Sequence, residues 1–165
     1  MKGFRYILAL GSNLGDREYN ALQAERGLSM FASILRTSRH LTTEPLRSPF
    51  YDTSDHGDFL NYILEVRAAL PPASLYKDIA KIEETLGHDR TRRWAPRVID
   101  IDILLACRDE EKPFPLCKPI IECGALNIPH SELANRPFLL DLLMSDFAFP
   151  DNFLTELVKR QGSYV

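Results

Sequence analysis

Residues 90–105 read RTRRWAPRVIDIDILL, and the rest of the chain is organised around this stretch. Its first half is a cationic loop holding Arg90, Arg92, Arg93 and Arg97, with Trp94 and Pro96 between them. Its second half has the apolar, β-branched make-up of a strand, interrupted only by Asp100 and Asp102. Side chains two apart on a strand leave the same face, ~7 Å from one another. The two carboxylates therefore share one face, and Ile99, Ile101, Ile103 and Leu105 are expected on the other. Adjacent ionised carboxylates repel, and burying either alone is costly. A divalent cation removes both difficulties. Mg²⁺ fits, because it is usually held by one or two carboxylates together with substrate phosphates. The arginines just upstream offer planar cationic donors to such phosphates. An isolated D-x-D is also ordinary protection for an edge strand, so its fixed spacing from the arginine loop gives the pattern its specificity.

A chain of 165 residues fits one domain, expected over 1–165 with a loop insertion at 107–124, and is long enough for a real core. Its 45% hydrophobic and 26% charged residues are those of an ordinary globular protein. The formal net charge of −3 argues against a nucleic-acid partner, which needs a basic face. Cys107, Cys117 and Cys123 are too few and too irregularly spaced for a disulfide framework or a zinc site. Reduced thiols and a cytoplasmic location are the expectation. No stretch approaches the ~20 apolar residues of a membrane span. The N-terminal MKGFRYILAL reads as a first strand rather than a targeting segment.

Taken in order, Phe4 to Leu10 reads as a strand. GSNLGD at 11–16 is a strand-to-helix turn with Asn13 or Asp16 available as N-cap, and it is neither a Walker A loop nor a dinucleotide fingerprint. A helix is expected to about Ala32, with Ala21, Ala24, Leu28 and Phe31 at helical spacing and Gly27 weakening it. A strand is expected over Ser33 to Leu41. A long polar loop follows from Thr42 to Gly57, of the length that is usually functional or mobile. Asp58 to Leu70 reads as a strand. Its entry, DFLN, puts Phe59 and Asn61 on one face, which suits a flat heterocycle that can stack and hydrogen-bond. A core Phe beside a capping Asn is an equal reading of those two residues alone. Pro71-Pro72 opens a helix with an apolar stripe at Leu75, Ile79, Ile82 and Leu86, and Gly87 closes it. Glu83 and Glu84 lie at the unfavourable end of that helix dipole, where an acid suggests a specific partner. After the irregular 107–124 segment, a short strand is expected over Ala125 to Ile128. His130 and Arg136 then flank a short helix. Helices over Phe138 to Met144 and Phe153 to Arg160 end the chain, the last capped by Asp151 or Asn152.

These motifs together resemble one family, the 6-hydroxymethyl-7,8-dihydropterin pyrophosphokinases of folate synthesis. They run LGSNLGD, T-x-P-L, DFLN, I-E-x-x-L-G, R-W-x-P-R-x-x-D-x-D-I-L and P-H-x-x-x-x-x-R-x-F, in that order over nearly the whole chain. The resemblance implies an α+β fold with a ferredoxin-like βαββαβ core, an antiparallel sheet between layers of helices. It implies transfer of a diphosphoryl group from ATP to the pterin hydroxymethyl group, with AMP released. It also implies site residues. Asp100 and Asp102 would hold two Mg²⁺ ions. Phe59 and Phe138 would sandwich the pterin, Asn61 would bind its edge, and groups near Thr43 and Leu46 would complete that pocket. Arg90, Trp94, Arg97, His130 and Arg136 would contact ATP, and Ile103 would lie against the adenine. Of these, Arg97, Asp100, Asp102, Arg90 and His130 are the expected catalytic set. Glu83 resembles an acid that orients the arginine loop. That loop, with Trp94, is expected to close over bound substrates.

The chain departs from the family's usual pattern in places. His88 stands where Arg commonly follows the glycine, Ser131 follows His130 in place of an aromatic, and Ala125 and Asn127 occupy a region that often carries a cation. The stretch between Asp102 and His130 is longer than expected. A monomer acting on small molecules, with neither a membrane nor a nucleic-acid partner, is the expected state. A non-catalytic pterin- or nucleotide-binding module on the same fold is the alternative, and a D-x-D polymerase or nuclease is disfavoured by the negative charge.

Overall fold

The computed structural model describes residues 3–45, 56–87, 96–109, 112–122, 124–153 and 155–156. Strands β1 (Phe4–Ser12), β2 (Ala32–Thr37), β3 (Leu41–Thr43), β4 (Phe59–Ala68) and β5 (Asp100–Arg108) are joined by helices α1 (Arg17–Leu28) and α2 (Pro72–Thr85), and α3 (Pro137–Phe147) follows the last strand. The sheet order is β2-β4-β1-β5, with β3 also pairing β4, and the pairings are antiparallel. This is the ferredoxin-like arrangement in a three-layer α+β sandwich, with β3 as a short addition along the β4 edge.

Alternation along the central strands builds two cores. Tyr6, Leu8 and Leu10 of β1 and Leu60, Tyr62, Leu64 and Val66 of β4 face Ala21, Ala24 and Leu28 of α1 and Leu75 and Ile79 of α2. Ile7 and Ala9 of β1 and Ile63 of β4 face Leu139, Leu142, Leu143 and Phe147 of α3. Because the sheet is covered on both faces, β1 and β4 read as nearly continuous apolar runs. Gly27 lies at the contact of α1 with α2: a Cβ there would sit 3.1 Å from Ile82. Its helix-weakening effect is thus accompanied by a packing reason. Gly87, at φ +99°, ends α2 as expected.

Several boundaries differ from the sequence reading. Helix α1 stops at Leu28, where the Ser29 hydroxyl and N–H turn back onto the Glu25 carbonyl. The strand expected over 33–41 is two strands broken at residues 38–40. There the Ser38 hydroxyl accepts the Ile63 N–H, and Asp146 accepts the Arg39 N–H. Cys107 and Arg108 belong to β5 rather than to an irregular segment. The chain after them is a strap along the outer edge of β5, with Ile120 N–H donating to the Ala106 carbonyl and His130 N–H to that of Leu104. Phe114 and Cys117 of the strap are buried on the α3 side. Residues 125–128 contribute one bridge, Ile128 to Glu122, instead of a strand. Helix α3 extends to Phe147, beyond the Met144 expected. Asp151 and Asn152 are themselves helical instead of capping, and the helix expected over Phe153 to Arg160 lies mostly outside the described residues.

The deciding strand carries a further correction. The β1–β5 register shifts between Ile7 and Leu8, pairing Ile7 with Leu105 but Leu8 with Ile103. Leu104 is the extra residue, and a bulge of this kind resets the alternation. Ile99, Ile101 and Ile103 face α1 and α2, whereas Leu104 and Leu105 both join the α3 side. Leu105 therefore does not share a face with the three isoleucines.

Candidate active site

The candidate residues gather on the α3 face of the sheet, at the end where β1 finishes and β4 and β5 begin. Directly opposed residues of antiparallel neighbours share a face. Gly11 of β1 pairs with Asn61 of β4 on one side and with Asp100 of β5 on the other. Ala9, one step further in, pairs with Ile63 and Asp102. Asn61 and Asp100 are thus two strand spacings apart, roughly 10 Å, with Gly11 between them. A Cβ on Gly11 would lie 3.2 Å from Asn61 Oδ1 and 3.6 Å from the Phe59 ring. β1 contributes only glycine and alanine between the carboxamide and the carboxylates, and the absence of a side chain on Gly11 lets Asn61 and Phe59 lie close over it.

On the β4 side, Asn61 is buried and its Nδ2 donates to Thr43 Oγ1 at 2.7 Å. Thr43 is held opposite Phe59 by the β3–β4 pairing. Phe138 lies in the first turn of α3, which opens with Pro137 at a position that tolerates the missing N–H. Arg39 fixes the far end of α3. Its guanidinium pairs with Asp141 at 2.5 Å and also with Asp146, and Nη1 donates to Ser145 at 2.8 Å. Burial pushes the Asp146 carboxyl up, but the Arg39 N–H, the Ser145 hydroxyl and the Arg39 guanidinium together hold it below its ordinary value.

On the β5 side, both carboxylates of the D-x-D stand on one face, about a quarter exposed. Asp100 pairs with the Arg97 guanidinium. Asp102 accepts from Arg136 Nη1 at 2.9 Å through Oδ2, while Oδ1 lies 3.6 Å from His130 Nε2. His130 Nδ1 accepts the Glu132 N–H at 3.2 Å, which assigns the ring proton to Nε2, the nitrogen facing the carboxylate. The strap along β5 and the 3₁₀ turn Leu133–Asn135 deliver His130 and Arg136 to this position. Glu83 is buried on α2 and accepts the Ile101 N–H at 2.8 Å, so its carboxylate supports the backbone between the two aspartates.

Among the described residues, no group of three or more His, Cys, Asp or Glu side chains gathers to hold a metal. Two carboxylates on one strand face suit an ion such as Mg²⁺ that takes its remaining ligands from water and substrate phosphate. Two cationic side chains, Arg97 and Arg136, and the Nε2–H of His130 face the pair and suit the same phosphates.

The sequence profile of the 7,8-dihydro-6-hydroxymethylpterin-pyrophosphokinase (HPPK) family matches residues 7–146. The chain belongs to that family. Its relatives include proteins named 2-amino-4-hydroxy-6-hydroxymethyldihydropteridine pyrophosphokinase. The one from Bacillus subtilis is 36% identical over 142 residues, covering 85% of this chain and 75% of that protein. The one from Aquifex aeolicus is 35% identical over 133 residues, covering 81% and 74%. The one from Haemophilus influenzae is 31% identical over 159 residues, covering 93% and 90%.

The structure brings Thr43, Phe59 and Asn61 together on one side of Gly11, and Arg97, Asp100, Asp102, His130 and Arg136 on the other. Ile103 does not join them. Its side chain is 2% exposed and packs in the α1/α2 core, because strand alternation sends it opposite to the aspartates. Leu46, His88, Arg90 and Trp94, with the expected lid, lie outside the described residues. The sequence reading missed that Ala9 and Gly11 are the β1 residues lying between Asn61 and the two aspartates. The signal was present as two small residues, two apart, at the end of an otherwise bulky strand. It also left the N-cap of α1 open between two residues. Asp16 performs it, accepting the Tyr19 N–H at 3.0 Å. Asn13 instead bonds to Arg97.

Proposed function

We propose that this chain is an ATP-dependent pyrophosphokinase acting on 6-hydroxymethyl-7,8-dihydropterin in folate synthesis. The hydroxymethyl oxygen attacks the β-phosphorus of ATP. A new oxygen–phosphorus bond forms, the bond from the β-phosphorus to the oxygen bridging it to the α-phosphorus breaks, the hydroxyl proton is lost, and AMP leaves. The observation that carries this reading is the single sheet row Asn61–Gly11–Asp100. In that row a carboxamide suited to a heterocycle edge and a carboxylate suited to a metal–phosphate group stand a small-molecule length apart, with only small β1 side chains between them.

Each residue then has a task that its chemistry suits. Phe59 and Phe138 stack on the two faces of the pterin, and Asn61, oriented by Thr43, binds its edge, with Leu46 nearby. This holds the hydroxyl beside its target, which is a large part of what phosphoryl transfer needs. Arg97, Arg136 and Arg90, with His130, bind the ATP phosphates and offset charge as it shifts toward the leaving group, and Trp94 also contacts ATP. Asp100 and Asp102 would hold Mg²⁺, two ions on this reading, which when bound would offset the negative charge of the phosphates. Glu83 fixes the strand that carries both aspartates. The working unit is a single domain over 1–165, monomeric and cytoplasmic, acting on small molecules without a nucleic-acid or membrane partner. No helix among the described residues is long and apolar enough to cross a membrane.

The test is to incubate the protein with ATP, Mg²⁺ and the reduced pterin, leaving out each component in turn. AMP should appear only in the complete mixture. Saturable binding of both ligands with no AMP would replace the enzyme by a binding module.

A further inference from the structure

Asn13 stands at a junction that the roles above leave unassigned. It follows β1 directly, two residues beyond Gly11. Its backbone N–H donates to the Arg97 carbonyl at 3.1 Å, and its Oδ1 accepts the Arg97 N–H at 2.7 Å. The backbone of the residue that pairs with Asp100 is therefore held at both its donor and its acceptor by one asparagine. On the other side, a Cβ on Gly57 would lie 3.4 Å from the Asn13 carbonyl oxygen, and Arg17 Nη1 donates to the Asp58 carbonyl at 2.7 Å. The turn after β1 thus touches the approach to Phe59 and the approach to Asp100 together.

The same carboxamide has a donor to spare. The Arg97 N–H can only donate, so the atom facing it is the amide oxygen, which fixes the orientation of the group. Nδ2 is left turned away from Arg97. It is fully buried and has no acceptor within the protein, the one such side-chain atom among the described residues. Asn13 as a whole is 6% exposed. Native structures rarely leave a buried donor unmatched, so this one calls for an acceptor from outside the protein, and it lies beside the residues of the candidate site.

We infer that Asn13 both positions Arg97 and binds substrate. Oδ1 holds the Arg97 backbone, and Nδ2 donates to an oxygen of a bound substrate, either a phosphate oxygen of ATP or the ring oxygen of the pterin. The inference rests on the proposed reaction for the identity of the two ligands.

Asn13→Asp separates the two halves of the role, since it keeps an oxygen for the Arg97 N–H and replaces the donor by an acceptor. Its melting temperature should stay close to that of the native protein. Its affinity for one ligand, titrated separately by calorimetry, should fall tenfold or more. Loss toward a non-transferable ATP analogue with Mg²⁺ assigns the acceptor to a phosphate, and loss toward the pterin assigns it to the ring. Affinities within twofold of native for both ligands would overturn the inference. Should Asn13→Asp fail to fold, the native protein decides. The Asn13 side-chain amide resonances, assigned by triple-resonance spectroscopy, should shift and exchange more slowly when one ligand is added. Unchanged resonances at saturation with both ligands would overturn the inference. A native protein that binds both ligands yet releases no AMP would count against the reaction itself and leave the Nδ2 result readable.

Discussion

Arg136 Nη1 lies 2.9 Å from Asp102 Oδ2, so the carboxylate proposed to hold a metal is matched by a cation of the protein itself. Asp100 stands in the same relation to Arg97. On the proposed function, binding of ATP with Mg²⁺ would exchange partners, the carboxylates turning to the metal and the guanidiniums to phosphate. One consequence concerns order. Mg²⁺ alone should bind weakly, because it must displace the arginines without offering them phosphate. Arg136→Ala should therefore strengthen binding of the free metal while weakening binding of the ATP analogue with Mg²⁺. Calorimetric titration of both against native protein tests this. A variant weaker toward both would mean that Arg136 only supports the fold at Asp102.

The aspartates themselves should be indispensable. Asp100→Ala or Asp102→Ala should lower turnover roughly a hundredfold or more, about 3 kcal/mol of transition-state stabilisation, with the fold retained. The comparison is kcat at saturating Mg²⁺ together with the far-ultraviolet dichroism spectrum. Near-native kcat in either variant would remove that carboxylate from the metal site.

Phe138→Ala should weaken pterin binding by roughly 1–3 kcal/mol, the worth of one stacked, buried aromatic, and leave ATP binding nearly unchanged. Separate titrations of the two ligands decide. Equal losses would place Phe138 in the core, as the first residues of α3 supporting the whole site.

Gly11 has a comparably specific expectation. An alanine Cβ would meet Asn61 Oδ1 at 3.2 Å, so Asn61 must yield by a few tenths of an ångström. Gly11→Val should weaken pterin binding by about 1–3 kcal/mol, the usual cost of overfilling a packed place. A pterin KM within twofold of native would show that the row Asn61–Gly11–Asp100 has slack that the structure does not suggest.

Much of this was legible in the sequence, and the exceptions have physical causes. Strict alternation places Asp100 and Asp102 on one face, and the structure keeps them there. Alternation cannot reveal a bulge, which is why Leu105 crossed to the α3 side after Leu104. The break at residues 38–40 was hidden for a related reason: it depends on the Ser38 hydroxyl and the Asp146 carboxylate standing in for strand partners, and both are long-range contacts. Ile103 shows the limit of carrying a role over by motif position, since its side chain is committed to the opposite core. The strap after β5 looked like an insertion because its bonds go to another element's edge and leave no local period. Asn13 could be read as a cap from its neighbours alone, but its true partner lies 84 residues away.

The Arg39 cluster gives a pH prediction. Asp146 is held below its ordinary value, so its charged form is favoured in the folded protein. That contribution is fully present above the unfolded pKa of ~3.9 and is lost as pH falls through the lower folded value. The native melting temperature should fall as pH drops below about 4. In Asp146→Asn the fall over the same range should be shallower. Parallel curves for the two proteins would show that the cluster does not stabilise α3.

The proposed reaction is tested most directly by following the phosphorus resonances of ATP with Mg²⁺, the reduced pterin and the native protein. The three ATP signals should give way to one AMP signal and the paired signals of a pterin diphosphate, in equal amounts and with no ADP. ATP that stays intact under saturating pterin, or that yields ADP, would contradict diphosphoryl transfer by this chain.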